Sequence, residues 1–188
     1  MKTFWRWTGT IFFALVFIFL TIAGIGTTLP VDHHAWCTAA YRRSVPFLFA
    51  AVEADDTSVN WRSSIKSAVL LSGRGPSAVW RETDAYGKTL TFRTLADDGK
   101  SKLVRQIDFE PGSAFAGTWT YMFLPGGLMA GHRRYNLTVL TITEDGQIYN
   151  PVFRFMGRYV VGYTQSMRTY LLDLGRMAAE QTSVICTQ

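Results

Sequence analysis

Apolar positions in the last fifth of the chain recur at steps of three and four residues, which places them on one side of an α-helix. Asn150 followed by Pro151 is a typical helix start, because the Asn side chain accepts a hydrogen bond from a free backbone N–H and proline has none to leave unpaired. We predict one long helix over residues 150–180. Its apolar positions are Val152, Phe153, Met156, Val160, Tyr163, Met167, Tyr170, Leu171, Leu174, Met177 and Ala178.

The chain before this helix alternates apolar and polar residues in short runs. Short segments rich in Gly, Pro and Asp, such as Pro125-Gly126-Gly127, separate the runs, and this spacing is typical of hairpins. A first strand over Ala35–Arg43 and a short helical stretch over Pro46–Val52 precede them. We predict an α+β fold, a curved antiparallel sheet of about seven strands wrapped on the long helix. The later strands are expected at Ile65–Leu71, Ala78–Asp84, Thr89–Leu95, Lys102–Phe109, Ala116–Leu124 and His132–Thr143.

Alternation with a period of two also predicts which side chains share a face of the sheet. In the strand after residue 102, Arg105 falls on the same face as three apolar residues, and Glu82 shares a face with Trp80. We expect the apolar sets to face the helix. They are Leu103, Ile107 and Phe109; Trp119, Tyr121 and Phe123; and Tyr135, Leu137 and Val139.

The N-terminal segment is apolar enough to cross a membrane. No charged residue occurs between Trp7 and Val31, and about 20 apolar residues suffice to span the ~30 Å hydrocarbon core as a helix. Lys2 and Arg6 precede the segment, and Arg42 is the next basic residue. Because positive charge marks the cytoplasmic side, we expect a cytoplasmic N-terminus and a periplasmic or extracellular remainder.

The same segment is also compatible with a cleaved secretory signal, with Gly24 and Gly26 as small residues before the cut. Signal segments usually have a shorter apolar region and an Ala-x-Ala-like site, which this chain lacks. Either interpretation exports the rest of the chain. We therefore divide it into a membrane segment, residues 1–31, which enters the membrane through residues 8–29, and a second domain, residues 32–188.

The charge of the chain gives little support to nucleic-acid binding. The net charge is +5. Without Lys2 and Arg6, 17 basic residues remain against 14 acidic ones. They are spread along the chain without a run of five, which does not favour a nucleic-acid partner.

The two cysteines, Cys37 and Cys186, lie at opposite ends of the exported part. In an oxidising compartment they could form a disulfide, or remain two free thiols, and the sequence leaves both open. Their number and spacing do not suit a metal site. His33 and His34 follow the membrane segment, where we interpret them as a solvated linker. We expect no metal and no cofactor, since the glycine pairs of the chain do not precede helices as phosphate loops do.

Three stretches together resemble the polyketide cyclase/START-like (SRPBCC) superfamily. They are Ala78-Val-Trp-Arg-Glu82, Gly117-Thr-Trp-Thr-Tyr121, and Thr143-Glu-Asp-Gly-Gln-Ile-Tyr-Asn-Pro-Val-Phe-Arg-Phe155. The resemblance covers about Ala35–Ala179. It implies the helix-grip fold, with a cavity between sheet and helix in which relatives hold lipids, sterols, polyketides or other apolar molecules. The membrane segment departs from typical soluble members and favours a role in the cell envelope.

Eight residues are candidates for the wall of that cavity. The aromatic residues and the methionine suit an apolar ligand, but core packing explains them equally. Glu82 and Arg105 could orient a polar ligand group or form a structural pair with each other. A strand register shifted by one residue would instead move both to solvent. The candidates are Trp80, Glu82, Arg105, Trp119, Tyr121, Tyr135, Tyr163 and Met167.

Three functions follow from this reading. The first is a membrane-tethered domain that binds or transfers a lipid or another hydrophobic small molecule. The second is an enzyme (a cyclase, dehydratase or hydrolase) that acts on an apolar substrate in the same cavity, with Glu82 as its only titratable candidate. The third is a noncatalytic assembly protein whose own side chains fill the cavity.

Overall fold

The computed structural model describes residues 2–107, 114–130 and 133–188. Its strands form one antiparallel sheet in the order β2-β3-β4-β5-β6-β7-β1-β8, which confirms the predicted fold class with one strand more than expected. The strands are β1 Asp32–Tyr41, β2 Ile65–Ser72, β3 Val79–Asp84, β4 Thr89–Asp97, β5 Lys102–Ile107, β6 Phe115–Ala130, β7 Arg133–Ile148 and β8 Val184–Thr187.

The helices precede and follow the meander. They are α1 Lys2–Thr28, α2 Val45–Glu53, α3 Asp55–Ser58, α4 Pro151–Met156 and α5 Gln165–Met177, with a 3-10 turn at Gly75–Ser77 and a π-helical turn at Gly157–Val161. The core lies where α5 and α2 cover one face of the sheet. Its largest fully buried apolar side chains are Tyr41, Leu48, Leu103, Phe123, Leu140, Ile142, Met167, Leu171 and Leu174.

The C-terminal helix is not continuous, contrary to our prediction. Asn150 caps it as expected, and its side-chain oxygen accepts hydrogen bonds from the backbone N–H groups of Val152 (2.9 Å) and Phe153 (3.3 Å). After the π-helical turn, Gly162 adopts a φ of 81° and ends the helical path, a conformation that favours glycine. The apolar spacing continues across the break, so periodicity alone could not reveal it.

The last hairpin is longer than predicted. Pro125, Gly126 and Gly127 were expected to form a turn but lie inside β6, opposite Thr138 and the two residues before it. The pairing of β6 with β5 ends at Met122, so the proline needs no N–H donor on that side. Proline is tolerated on such an edge.

The buried face of β7 is also the opposite of the predicted one. Thr138, Leu140 and Ile142 are fully buried, whereas Leu137 and Val139 are only partly buried. A buried threonine is acceptable here because its hydroxyl donates to the Arg43 carbonyl at 2.7 Å. The side chains of Tyr135 and Phe109 lie outside the part of the chain that the structure describes.

Cys37 and Cys186 face each other across the antiparallel pair β1–β8, and the structure joins them in a disulfide. The bond links the first strand to the last across 149 residues. It therefore holds the first and last strands of the domain next to each other in the sheet.

Helix α1 projects from this domain. Gly9–Thr28 is long and apolar enough to cross a membrane, and only 6% of its most apolar window is buried. Its last turns are an exception: α1 packs against α4. There Gly26 touches the backbone of Pro151 so closely that a Cβ would overlap it. The Arg154 side chain also donates to the Leu29 carbonyl at 2.8 Å.

The disulfide makes a testable contribution to stability. Replacing both cysteines with serine should lower the free energy of unfolding by about 2–5 kcal/mol, because the bond closes a long loop of the unfolded chain. Urea unfolding of the full chain in detergent measures the change. A reductant should destabilise the wild type and leave the double variant unchanged; equal sensitivity of both proteins would contradict the prediction.

Candidate functional site

A cavity of about 680 Å³ lies between the sheet and the segment that runs from α4 to α5. Ligand cavities in proteins commonly measure ~300–1,000 Å³ and are mostly apolar. Strands β1 to β7 supply residues to one wall, and α4, the π-helical turn and the start of α5 supply the other. The apolar lining includes Phe92, Ile107, Phe115, Trp119, Ile148 and Met156.

An ion pair between Arg62 and Glu82 lies in the wall of this cavity. Arg62 follows α3, and its two terminal nitrogens bind the two carboxylate oxygens of Glu82, with a contact of 3.1 Å at Nη2. The Arg62 guanidinium also lies 5.0 Å from the centre of the Tyr170 ring. Both oxygens of Glu82 are therefore engaged in a structural pair, which does not favour the role of a free general acid.

Arg105 forms a second buried pair. Its Nη2 donates to Asp55 at 2.6 Å and to the carbonyls of Val52 and Glu53 at 3.0 and 3.2 Å. These bonds tie β5 to the junction between α2 and α3. Arg105 also stacks its guanidinium 5.7 Å from the centre of the Tyr121 ring. We call Asp55, Arg62, Glu82, Arg105, Tyr121 and Tyr170 the charge cluster.

Burial changes the titration of this cluster. It raises the pKa of Asp55 to about 7, and Arg105 acts in the opposite direction. Burial also raises the pKa of Tyr121 and of Tyr170, although both arginines oppose it. The two tyrosines thus keep their protons near neutral pH and remain hydrogen-bond donors.

The sequence-derived candidates divide into three groups. Glu82, Arg105, Trp119, Tyr121 and Tyr163 line the cavity. Two others lie elsewhere: Trp80 borders a separate hollow of about 250 Å³, and Met167 is fully buried in the core. The eighth, Tyr135, lies outside the described side chains.

Of the alternatives for Glu82 and Arg105, the structure shows neither a pair between the two nor exposure to solvent: both are buried, and each pairs with another residue. The partners, Asp55 and Arg62, come from the stretch between α2 and β2, to which the sequence analysis assigned no candidate residue. Asp55 is 1% exposed, and Arg62 carries the opposite charge seven residues later. A charged residue in a polar stretch gives no periodic signal, so only the tertiary structure reveals that both point inward.

A third polar residue that the sequence analysis did not predict, His33, lies in the cavity wall. Nε2 of His33 lies 3.2 Å from Oε1 of Glu144, and the imidazole stacks on the ring of Tyr163 at 4.3 Å. We had interpreted His33 as part of a solvated linker, but it begins β1 on the same face as Ala35 and Cys37. Extending the predicted strand by two residues beyond Ala35 would have placed the His33 side chain on the buried face.

The described residues contain no group of three or more His, Cys, Asp or Glu side chains that could hold a metal ion. The arrangement instead combines an apolar volume with neutral and charged hydrogen-bonding groups in its wall. It suits an apolar molecule that carries a polar group.

Comparison with solved structures identifies the fold. The chain is similar to norcoclaurine synthase from Thalictrum flavum (8% identity, TM-score 0.62), which covers 80% of this chain and 96% of that one. It is also similar to a START superfamily protein from Mycobacterium smegmatis (15% identity, TM-score 0.53), over 79% and 95% of the two chains. A conserved protein from Geobacillus kaustophilus aligns over 81% and 99% (10% identity, TM-score 0.59).

The likeness to these structures shows that the domain has the helix-grip fold of START-like proteins. At these identities it shows the fold alone. No family model matches the sequence, and no curated protein matches it. The function must therefore be argued from the cavity.

The Arg62–Glu82 pair predicts a specific pattern of stabilities. Glu82→Leu should destabilise the protein by about 3–5 kcal/mol, because it leaves Arg62 buried without its counter-charge. The double variant Arg62→Met, Glu82→Leu should recover most of this loss, since no charge remains unpaired. Chemical unfolding of the three proteins tests the pattern, and a double variant as unstable as Glu82→Leu would refute it.

Asp55 predicts a pH dependence. Its pKa is higher in the folded state than its ordinary value of 3.8, so the folded protein binds the proton more tightly. The stability that this provides is complete below pH 3.8 and is lost as the pH rises through about 7. The free energy of unfolding of the wild type should therefore fall over this window relative to Asp55→Asn. Urea unfolding across these pH values measures the difference, and a difference that rises with pH would contradict the assignment.

Proposed function

We propose that this protein binds a hydrophobic small molecule with a polar group, most simply a lipid, in the cavity between its sheet and its C-terminal helices. The observation that carries this proposal is the cavity of about 680 Å³ with a largely apolar lining and a buried charge cluster. An assembly protein with a filled core would have no such volume. The apolar surface of the cavity would instead favour an acyl chain or a ring system.

The charge cluster gives the ligand a direction. Tyr121 and Tyr170 retain their hydroxyl protons, and Arg62 and Arg105 place positive charge behind the two rings. A carboxylate, phosphate or hydroxyl group of the ligand would find hydrogen-bond donors there. The apolar part would extend past Phe115 and Phe153, whose rings stack at 5.3 Å.

The membrane is the source of ligand that this architecture suits. We propose that α1 remains as an anchor, with a cytoplasmic N-terminus and the domain on the periplasmic or extracellular side. The length and the apolar composition of α1 support its role as a membrane anchor. The disulfide supports an oxidising compartment. A tether would keep the cavity at high effective concentration near lipid, so that the domain could take up or hand on a lipid molecule.

Filling the cavity tests the function directly. Thr169 lies on α5 and lines the cavity, so Thr169→Trp should occupy the volume that the ligand needs. We expect the affinity for a fluorescent fatty acid to fall by about tenfold or more, which corresponds to at least ~1.4 kcal/mol. Lipid that co-purifies with the wild type, identified by mass spectrometry, should be lost from the variant.

The matched control is Thr187→Trp, the same substitution at an exposed position of β8 outside the cavity. It should bind the probe as the wild type does. Equal loss in both variants would show that the tryptophan acts through folding. Binding that survives Thr169→Trp in a folded protein would place the ligand elsewhere and overturn the proposal.

A further inference from the structure

The π-helical turn presents an exposed surface beside the cavity. Tyr159, Val160 and Val161 are 60%, 62% and 57% exposed, and Arg158 next to them is exposed as well. Three consecutive large apolar side chains in solvent are unusual for a soluble surface, and such patches commonly mark a binding site. We call residues 158–161 the apolar turn.

The apolar turn is continuous with the cavity. Val161 is exposed and also lines the cavity, and so does Phe153, which is 40% exposed. These two residues therefore border an opening of the cavity. Whatever covers the apolar turn also covers the route by which a ligand enters.

The position of the apolar turn is set by α1. It directly follows α4, and α4 packs on the last turns of α1 through the Gly26–Pro151 contact and the bond from Arg154 to the Leu29 carbonyl. In the last turns of α1 the covered positions Ile22, Ala23 and Gly26 lie on one side of the helix, and Leu29, just after the helix, is partly covered as well. Only residues 29–31 separate α1 from β1. The domain therefore packs directly against the C-terminal end of α1, and no flexible linker separates the two.

The composition of the apolar turn fits one kind of partner. Tyrosine favours the headgroup region of a bilayer, valine the acyl chains beneath it, and arginine the phosphate groups. The contact with Pro151 lies at Gly26, inside the span Gly9–Thr28. If α1 spans the membrane, the start of α4 lies at the height of its surface, and the apolar turn follows after one helix of six residues, about 9 Å long.

On these grounds, and resting on the proposed function, we propose that the apolar turn inserts into the bilayer that holds α1, so that the cavity opens directly onto lipid. The helix then does more than anchor the protein: its contact with α4 orients the mouth of the cavity toward the membrane. A ligand would pass between bilayer and cavity without crossing water.

An environment-sensitive fluorophore tests the position of the apolar turn. The full-length protein with Val160→Cys is labelled with a nitrobenzoxadiazole dye, with the native disulfide intact. It is then placed in vesicles of phosphatidylcholine and phosphatidylglycerol. The emission should shift to the blue, and lipids that carry a nitroxide on the acyl chain should quench it, because the probe lies among acyl chains. An unshifted, unquenched probe would overturn the proposal.

Leu124→Cys provides the matched control. Leu124 is an apolar residue of similar exposure, 54%. Leu124 on β6 lies opposite Val139 on β7, and Val139 lies opposite Ala40 on β1. Leu124 is therefore level with Ala40, which is eight residues from Asp32, the first residue of β1 after the membrane segment. At ~3.4 Å per residue it lies about 27 Å from the membrane end of the strand. A probe there should behave as in water, and quenching at both positions would indicate nonspecific adsorption and count against the proposal.

Kinetics separate this proposal from the proposed function. Tyr159 and Val160 do not line the cavity, so Tyr159→Asp with Val160→Asp should leave the affinity for a fluorescent fatty acid in detergent unchanged. Uptake of the same probe from vesicles should slow by about tenfold or more, since two apolar contacts with the bilayer are lost. Unchanged affinity together with unchanged uptake would refute the bilayer contact alone. Absence of probe binding by the wild type would refute the proposed function instead.

Discussion

Buried charge in the cavity wall is the constraint on which the site depends. The pairs Arg62–Glu82 and Arg105–Asp55 have lost most of their contact with water, and each charge is stable only because its partner and the neighbouring tyrosine rings replace the solvent. Neither arginine can move into the hollow to fill it without giving up these bonds. The pairs therefore hold both arginines in fixed positions beside the hollow.

The same bonds connect the site to the rest of the fold. Arg105 reaches from β5 to the carbonyls that end α2 and to Asp55 of α3. Arg62, just beyond α3, reaches to Glu82 on β3. These bonds tie the short helices to the sheet beside the cavity, while α4, the π-helical turn and α5 line the wall opposite the sheet. The break at Gly162 lets α5 enter the core while α4 stays against α1.

Much of the fold could be predicted from local pattern. Period-two alternation and Gly, Pro and Asp in the loops identified the strands of the meander, and the Asn150-Pro151 pair identified where the helix begins. The resemblance carried by the three quoted stretches led to the helix-grip fold. The pattern failed where a local signal had two meanings: Pro125 suits a turn or an edge strand, and β7 has apolar residues on both faces. In the folded protein, the face of β7 that carries Leu140 and Ile142 packs into the core.

The site was less predictable. Four of its lining residues, Glu82, Arg105, Trp119 and Tyr121, followed from strand alternation, and Tyr163 followed from the helical spacing. Asp55 and Arg62 were not predicted because they lie in a stretch without a periodic signal, and His33 was not because it precedes the strand that we predicted. By itself, the sequence determined the apolar helix, the antiparallel sheet and the helical C-terminus, since these depend on neighbours a few residues apart. Only the tertiary structure decided which charges pair, where the helix breaks, and that α1 docks on α4. Those outcomes depend on contacts between residues 20 to more than 120 positions apart, which no local pattern records.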